Sequence, residues 1–467
     1  KLMKAQCLSR GCGWLLRAKK YDTSDRFCIY KYVGMHTCGI ENATCRHKKI
    51  SSELIASVCV NHFRDGKGPS IREIQRIVFK ELRCNASYWM CWKGSVIAKN
   101  IIRGTPEHGY ACLPAFSHMV ELLNPGSSYS IMVNRMDGSF VYYFLAFGAC
   151  IRGYAHMRKV IAVDGTHLYG KYGGVLLSAV AQDTENHIFS IAFCVVDKEN
   201  DASWTFFFQK LKSIIEDEPD LCVISDRHIS IANAFSRVYS RAHHGFFMRH
   251  LAENLRVNQH CGEHLYLFYA AAKAYSFDEF SDNFVELKSK CPEAAHVLEN
   301  VLGFEKWSRA HFPGNRYDVM TTNIAESLNS ILMDEREYPV SYIFNSIAKK
   351  FGEKFRERHA FVGGKENIFV PSAERILRDN KSASDSLYVG NPNGVLDEYT
   401  VFGNGVTAKV NLLERSYSCQ KFDLVKMSCE TRWQLCEQST AMAKIMVTPS
   451  TTTLRQFIKL KVTSSHT

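Results

Sequence analysis

Between residues 158 and 260, continuous apolar runs alternate with amphipathic stretches. The runs KVIAVDGTHL, VLLSAVAQD and IFSIAFCVVD predict three successive strands, separated by the turn signals KYGG and TENH. A helix (ASWTFFFQKLKSII), a fourth strand (LCVISD), a second helix (SIANAFSRVY) and a fifth strand (HGFFMRH) follow. The runs that end in Asp164 and Asp226 are too continuous for half-exposed strands, so both predict central strands. We therefore expect an α/β protein with a mixed sheet covered by helices.

The pattern changes on the amino-terminal side of this region. Residues 1–46 contain short alternating runs such as RFCIYKYV, which predict a small β-rich module. Residues 50–105 carry apolar positions at three-to-four spacing and predict helices. Ser70 fits the N-cap of the second of these helices, with Glu73 completing a capping box.

The carboxy-terminal side is helical first and irregular afterwards. Residues 265–360 contain amphipathic stretches such as FYAAAKAYSFDEFSDNFVELKSK, which predict helices. Residues 385–467 predict shorter strands and loops and end in a Thr/Ser-rich tail that we expect to be mobile.

Composition places the chain among globular proteins. It has 467 residues, 46% of them hydrophobic and 22% charged, and a net charge of +11 that favours an acidic partner such as nucleic acid. The 17 cysteines form no dense framework, which is typical of reduced intracellular thiols with a subset available for metal. No apolar run is long enough to predict a membrane span. The chain begins with Lys1 rather than Met, so we expect it to be a fragment.

Three acidic residues stand in contexts that point to chemistry. Asp164 and Asp226 each end an apolar strand, and Gly165 after the first allows close approach of the backbone. Glu326 lies in TTNIAESLNSIL, a predicted helix, and falls off the apolar stripe that begins at Ile324. Taken singly, an Asp after a strand is most often a turn former and a Glu on a helix is usually solvated.

Together the three acids predict a divalent-metal site for cleaving phosphodiesters. Two cations about 4 Å apart can activate a water or hydroxyl and stabilise the leaving oxygen. Mg²⁺ prefers oxygen ligands and retains several waters, so a few carboxylates suffice. Adjacent strands can bring two of them together, and a helix across the sheet can supply the third.

Five motifs in order carry a resemblance to a known family. The segment from VIAVDGTHLYG to WTFFFQKL, followed by ISDRHISIANAF, FFMRHLAENL and TTNIAESLNSIL, resembles the transposase domain of Mutator-like elements, the plant MuDR family. The resemblance covers roughly residues 110–350. It implies an RNase H-like fold with a helical insertion between the second and third acids. It also implies a DDE triad, which would be Asp164, Asp226 and Glu326.

The resemblance further implies the reaction. Such enzymes bind Mg²⁺ or Mn²⁺, cut DNA at element ends by hydrolysis, and join the freed 3′-hydroxyl by transesterification. One departure concerns the strand after the second Asp, where the family commonly has Cys-x-x-His. Here Phe247 stands at the Cys position and His250 remains, and a lone His at a strand end is more often structural than catalytic. Trp204 matches a tryptophan common in the family and also fits a core aromatic at a helix start.

Cysteine and histidine pairs near the amino terminus predict a zinc site. Cys7 and Cys12 form one close pair, and His36 and Cys38 form another beyond a hairpin. So small a module needs a metal to be stable. The GCGW and HTC strings resemble WRKY/GCM-like zinc fingers. Alternative ligands are Cys28 and Cys45, and phosphate contacts are predicted for Arg10, Arg17, Lys19, Lys20, Arg26 and Lys31.

A second finger-like stretch lies near the carboxyl terminus. LLERSYSCQKFDLVKMSCETRW resembles a SWIM zinc finger, whose four ligand positions are here Tyr417, Cys419, Cys429 and Thr431. Phenol and hydroxyl are poor substitutes for thiolate and imidazole. Cys436 offers a third thiolate but no fourth ligand is evident, so we predict no stable zinc and a packed β-hairpin.

These inferences combine into one predicted organisation. It comprises a zinc-finger module (1–49), a helical segment (50–109), an RNase H-like transposase domain (110–360, insertion about 262–315), a degenerate SWIM-like region (385–440) and a mobile tail (441–467). The predicted function is that of a DNA transposase acting in the nucleus on double-stranded DNA, either transposon ends or promoter sites. A second copy of the chain is a further candidate partner, and no membrane is expected. The alternatives are a non-catalytic transposase-derived DNA-binding regulator and a decayed element copy without a role.

Overall fold

The computed structural model describes most of the chain. The described residues are 2–7, 11–21, 26–37, 50–64, 67–183, 185–316, 319, 323–362, 371–391, 394–395, 397–403, 405–414, 416–421 and 429–438. Within them, the side chains at 323–326, 359–362, 372, 406 and 436–438 are not described. The predicted mobile tail, 441–467, lies outside the described residues.

The chain divides into two compact units, Lys1–Gly109 and Tyr110–Thr467. The first begins with three antiparallel strands, β1 (Leu2–Gln6), β2 (Leu15–Lys20) and β3 (Phe27–Val33), as the alternating pattern predicts. Nearly all of their side chains are at least partly exposed, so this small sheet has almost no core of its own.

Helices follow in the first unit. They are α1 (Ser52–Cys59), α2 (Ile71–Leu82) and α3 (Tyr88–Arg103), and their inner faces share a buried apolar cluster. The predicted capping box of α2 is confirmed. The Glu73 N–H donates to Ser70 Oγ at 3.3 Å, and the Ser70 N–H donates to Glu73 Oε2 at 2.7 Å.

The second unit is built on a seven-stranded mixed sheet. Its strands are β4 (Ser128–Val133), β5 (Phe140–Ala146), β6 (Val160–His167), β7 (Val175–Gln182), β8 (Ile188–Val196), β9 (Cys222–Ser225) and β10 (His243–Phe246). They are ordered β10-β9-β6-β7-β8-β5-β4. β6, β7 and β8 are antiparallel neighbours, whereas β6, β9 and β10 run parallel. The prediction of an α/β protein with a mixed sheet is confirmed.

Helices cover both faces of this sheet. α7 (Asp201–Lys212) packs Phe207 against Phe144, and α14 (Val340–Val362) packs Phe344 against the neighbouring residue, Tyr143. Because successive strand residues point to opposite faces, α7 and α14 lie on opposite sides. Burial from both sides explains why β6 to β9 are almost wholly apolar. The other helices before β10 are α4 (Pro106–Ala111), α5 (Leu113–Leu123), α6 (Gly148–Tyr154) and α8 (Ile229–Val238).

Helices also dominate the chain after β10, as the periodicity predicts. α9 (Met248–Asn258), α10 (Leu265–Lys273), α11 (Phe277–Lys290) and α12 (Pro292–His296), with a π-helical turn at Val297–Leu302, form a separate apolar cluster with Trp307. α13 (Asn323–Ile331) then returns to the sheet, where Leu328 and Leu332 join the main core.

The sequence interpretation of HGFFMRH as a strand is wrong in its second half. β10 ends at Phe246, Phe247 is the N-cap of α9, and His250 lies in the first turn of that helix rather than at a strand end. The periodicity of MRHLAENLRVN explains the change. It places Leu251 and Leu255 on one buried face, which favours a helix over a longer strand.

The carboxy-terminal part is more helical than predicted. α15 (Pro371–Ser384) precedes a four-stranded sheet, and α16 (Glu430–Gln438) follows it in a stretch predicted to be strands and loops. The strands are β11 (Tyr388–Gly390), β12 (Glu398–Gly403), β13 (Val406–Asn411) and β14 (Ser416–Tyr417). In the part of the chain that the structure describes, no helix is both long and apolar enough to cross a bilayer.

Candidate active site

Asp164 and Asp226 lie side by side on two neighbouring inner strands of the seven-stranded sheet. The end of the sheet at which β9 stops and these acids meet is called the acidic edge. β6 and β9 pair in parallel, with Ala162 opposite Ile224. Continuing this register by two residues sets Asp164 beside Asp226. The prediction of two adjacent central strands is confirmed, and Asp226 follows β9 directly, but Asp164 lies within β6, because that strand continues to His167 through its pairing with β7.

Asp164 sits in surroundings that oppose its negative charge. Burial raises its pKa to about 7, with further contributions from the negative charges of Asp226 and Glu199. Two hydrogen bonds act in the other direction. The Gly165 N–H donates to Asp164 Oδ1, and the Asn329 amide donates to Asp164 Oδ2, each at 2.9 Å. The strongest influences on Asp164 include no lysine or arginine.

Asp226 is held at the start of the next helix. The His228 N–H donates to Asp226 Oδ1 at 3.1 Å, and His228 is also the N-cap of α8. In this Asx-type turn the carboxylate points forward to the start of α8, so the residue both follows a strand and supports a helix N-terminus. The ordinary role of an Asp after a strand and the predicted ligand role are therefore compatible here.

Asn329 joins helix α13 to β6. Its side-chain amide nitrogen donates to Asp164, and its amide oxygen accepts a hydrogen bond from the Thr166 hydroxyl. The Arg336 guanidinium donates to its backbone carbonyl at 3.3 Å. One side chain thus binds two residues that point to the same face of β6, which fixes the helix against the strand.

Glu326 belongs to α13, one turn before Asn329. Residues three apart on a helix share a face, so the backbone of α13 brings the predicted third acid toward the same edge. The Glu326 side chain is not among those described. The geometry of its carboxylate accordingly stays a prediction.

Glu199 is a third described acid at this edge, and sequence reasoning missed it. It lies between β8 and α7, and its carboxylate packs against Gly165. A Cβ built on Gly165 would lie 2.6 Å from Glu199 Oε1. The signal was weak, because an acid at a strand-to-helix junction in the charged run DKEND resembles an ordinary solvated turn.

The three acids do not converge on a single point. Among the residues whose side chains are described, the oxygens of Asp164, Glu199 and Asp226 do not all lie within 4.8 Å of one another. Burial raises the pKa of both Asp164 and Glu199, and the negative charge of Asp226 raises both further. The arrangement is a partly buried acidic edge that offers more than one carboxylate.

This edge lies within a stretch that resembles a known domain. Residues 160–254 match the family model of the MULE transposase domain. The MULE match runs from β6 to the middle of α9, so it includes Asp164, Glu199 and Asp226 and ends before Glu326. It supports a transposase or a protein derived from one. No curated protein matches the chain.

Phe247, at the position where the resemblance to Mutator-like transposases implies a cysteine, lies within the MULE match. Its side chain is fully buried, and its ring meets His250 edge to face at a centroid distance of 5.7 Å. Trp204 is fully buried too and contacts Phe207 and Phe208, which confirms its interpretation as a core aromatic at a helix start.

The predicted amino-terminal ligands come together in part. Cys7, Cys12 and His36 place their ligand atoms within 4.8 Å of one another, and Cys12 Sγ lies 3.5 Å from His36 Nδ1. The Trp14 ring stacks on His36 at 5.0 Å. Cys38, the predicted fourth ligand, lies outside the described residues, as do Cys45 and Arg10. Cys28 is exposed on β3 and does not belong to this group.

In the SWIM-like region two thiols meet, and no third candidate ligand joins them among the described side chains. Cys419 Sγ lies 3.9 Å from Cys429 Sγ, and the hydrogen bond from Cys429 lowers the pKa of Cys419. Tyr417 is buried in an apolar cluster with Val401 and Leu435. The side chain of Cys436 is not described. The prediction that no zinc binds here stays a prediction.

Proposed function

We propose that this chain is a MULE-type DNA transposase that cleaves and joins DNA strands with a DDE triad of Asp164, Asp226 and Glu326. The observation that carries the proposal is the parallel register of β6 and β9, which sets Asp164 within β6 beside Asp226 just after β9, in the segment that matches the MULE domain. An acidic edge of this kind suits a metal-dependent phosphodiesterase.

The sheet supports an RNase H-like assignment. Three antiparallel strands, β6 to β8, are followed by α7 and then by β9 and β10, which add in parallel on the far side of β6. The helices α10 to α12 stand between the second acid and α13, as an insertion between the second and third acids requires. The RNase H-like fold and the insertion at about 262–315 are therefore part of the proposal.

The residues at the edge fit Mg²⁺ or Mn²⁺. All the candidate ligands are hard carboxylate oxygens, which these cations prefer. The strongest influences on Asp164 include no cationic side chain, and its raised pKa reflects a charge that a bound cation would stabilise. When bound, a pair of such cations supplies an activated nucleophile and stabilises the leaving oxygen. The chain supplies the carboxylates, and Asn329 holds Asp164 in one orientation.

DNA binding is assigned to the first unit. Cys7, Cys12 and His36, with Cys38, fit a tetrahedral Zn²⁺ site of a WRKY/GCM-like finger, because thiolate and imidazole are its usual ligands. Several of the predicted phosphate contacts lie on β2 and β3, close to this cluster in the chain; they are Arg17, Lys19, Lys20 and Lys31. The partner would be double-stranded DNA, and the compartment the nucleus.

A specific observation favours a second candidate, a transposase-derived regulator that binds DNA without cutting it. Phe247 fills a fully buried position where the family commonly has cysteine, and Tyr417 occupies a ligand position of the SWIM-like region. Both changes replace polar chemistry by apolar packing. This candidate keeps the zinc finger and loses the metal-dependent cleavage.

The experiment that separates them measures nicking of a supercoiled plasmid in Mg²⁺ or Mn²⁺, with the whole chain and its Asp164→Asn variant. The transposase proposal predicts cation-dependent nicking that falls at least about 100-fold in the variant, since even loss of an outer-shell partner costs up to that much. If both proteins bind the DNA and are equally inert, the regulator replaces the transposase.

A further inference from the structure

Glu199 lies at the acidic edge but is not part of the proposed triad of Asp164, Asp226 and Glu326. It is half-buried, and it belongs to the short connection between β8 and α7 rather than to either element. The charges that act on it come from the candidate site: Asp226 first, with His228 and His167 opposing it. Glu199 therefore interacts electrostatically with the acidic edge, although it lies on the connection between β8 and α7 and not on β6 or β9.

The contact with Gly165 shows how closely Glu199 approaches the site. Oε1, Cδ and Oε2 of Glu199 would lie 2.6, 2.7 and 3.0 Å from a Cβ on Gly165. All three carboxylate atoms thus occupy the space that a side chain at position 165 would fill. The glycine beside Asp164, predicted from sequence to allow a close approach, admits this carboxylate.

Ordinary structural roles do not account for Glu199. The N-cap of α7 is Asn200, which forms a complete capping box with Ser203, so the helix start has no need of Glu199. Within the described part of the chain, Glu199 forms no salt bridge. A half-buried carboxylate beside two other acids, with no salt bridge to a lysine or arginine, is costly unless something else stabilises its charge.

A buried donor lies near the carboxylate. The indole N–H of Trp204 is fully buried, has no hydrogen-bond partner among the described residues, and acts on Glu199 to lower its pKa. The capping box fixes the next residue, Asn200, at the start of α7. The Glu199 carboxylate itself lies against Gly165.

We propose that Glu199 is an additional carboxylate ligand of the divalent cations at the Asp164–Asp226 edge. The inference rests on the proposed function, because it names a further residue of the same site. Asp164, Glu199 and Asp226 are spread more widely than the oxygen shell of one small cation, which suits a site that holds two. Glu199 would then complete the coordination on the side of the edge that α13 does not cover.

The first test is direct cation binding. Calorimetric titration of the whole protein with Mn²⁺ alone is compared for wild type, Glu199→Gln and Asp164→Asn, with Glu216→Gln as the control because Glu216 is exposed and outside the site. Glu199→Gln should weaken Mn²⁺ binding about 10-fold or more, while Glu216→Gln should bind as wild type does. If Glu199→Gln binds Mn²⁺ like wild type while Asp164→Asn does not, the added role of Glu199 is wrong and the proposed site survives.

The second test uses the glycine contact. Gly165→Ala must displace the Glu199 carboxylate, so it should weaken Mn²⁺ binding as Glu199→Gln does. In the double variant the two losses should not add, because both remove the same ligand. Full additivity would show that Gly165→Ala acts by another route and would remove the support for a ligand role. If wild type and Asp164→Asn bind Mn²⁺ and nick DNA alike, the proposed function itself fails.

Discussion

The acidic edge of the large sheet and the Cys/His cluster of the small sheet are organised in opposite ways. Asp164 and Asp226 extend from strands that are buried on both faces, and their spacing follows from the register of β6 and β9. Cys7, Cys12 and His36 lie on loops around a three-stranded sheet whose side chains are almost all at least partly exposed. We expect the first arrangement to hold without metal because the core imposes it. We expect the second to depend on metal, because little else holds it together.

The largest expected effect of this difference follows removal of zinc. Cys12→Ser, or chelation of wild type, should unfold the small sheet and abolish the DNA binding assigned to it, because a structural zinc contributes about 10–16 kcal/mol. The large sheet should keep its fold. Circular dichroism and limited proteolysis, with metal analysis for one zinc per chain, would measure this. Cys28→Ser is the matched control, since Cys28 lies outside the cluster. Retention of the small sheet without zinc would contradict the comparison.

A smaller effect is expected at the acidic edge itself. Asn329→Ala removes the hydrogen bond to Asp164 and the acceptor for Thr166, so cation-dependent nicking should fall about 10–100-fold. Asn329→Asp keeps an acceptor for Thr166 but replaces the donor by a negative charge, and should be at least as poor. Ser330→Ala, on the exposed side of the same helix, serves as the control. Equal nicking rates in all four proteins would show that Asn329 does not position Asp164.

The third prediction concerns pH and stability. Because the folded-state pKa of Asp164 is raised to about 7 from an ordinary value near 4, the folded protein binds that proton more tightly than the unfolded chain. The destabilisation is therefore absent below about pH 4 and complete above about pH 7. Asp164→Asn should raise the Tm of metal-free protein at pH 8 by roughly 1–2 °C, the shift that about 1 kcal/mol gives in a unit as large as Tyr110–Thr467, and leave it unchanged at pH 4.

Thermal unfolding at both pH values, with and without Mg²⁺, measures this effect. Mg²⁺ should stabilise wild type at pH 8 and leave Asp164→Asn nearly unaffected. A lower Tm for Asp164→Asn at pH 8 would mean that the carboxylate stabilises the fold, contrary to an edge built around repelling acids.

The smallest effect is expected at the carboxy-terminal thiols. Cys419→Ser should leave the zinc content at one per chain, because Tyr417 and Thr431 cannot replace the missing ligands. Stability should change little, since the apolar cluster around Tyr417, rather than a metal, holds this region. Loss of a second zinc on this substitution would show that the finger is still functional.

Sequence reasoning succeeded where one local pattern fixed the outcome. Asp164 and Asp226 were predictable because continuous apolar runs mark central strands, and parallel neighbours end at the same edge. The capping box at Ser70 was predictable because its donors and acceptors are local. In both cases the physical cause lies within a few residues of the position predicted.

Sequence reasoning failed where a residue's position depends on contacts with distant parts of the chain, or where a strand and a helix were both compatible with the local pattern. Glu199 gains its place from the space above Gly165, which no periodicity reveals. Asn329 was passed over because its contacts with β6 depend on how α13 docks. The sequence predicted a strand through His250, but the structure has a helix from Met248, because Leu251 and Leu255 bury one face of α9.

The most direct measurement of the central claim is the anomalous scattering of crystals soaked in Mn²⁺. The account predicts Mn²⁺ within about 2.0–2.2 Å of carboxylate oxygens, with Asp164 and Asp226 both among its ligands. Saturated crystals with an intact sheet and no Mn²⁺ at Asp164 and Asp226 would contradict it.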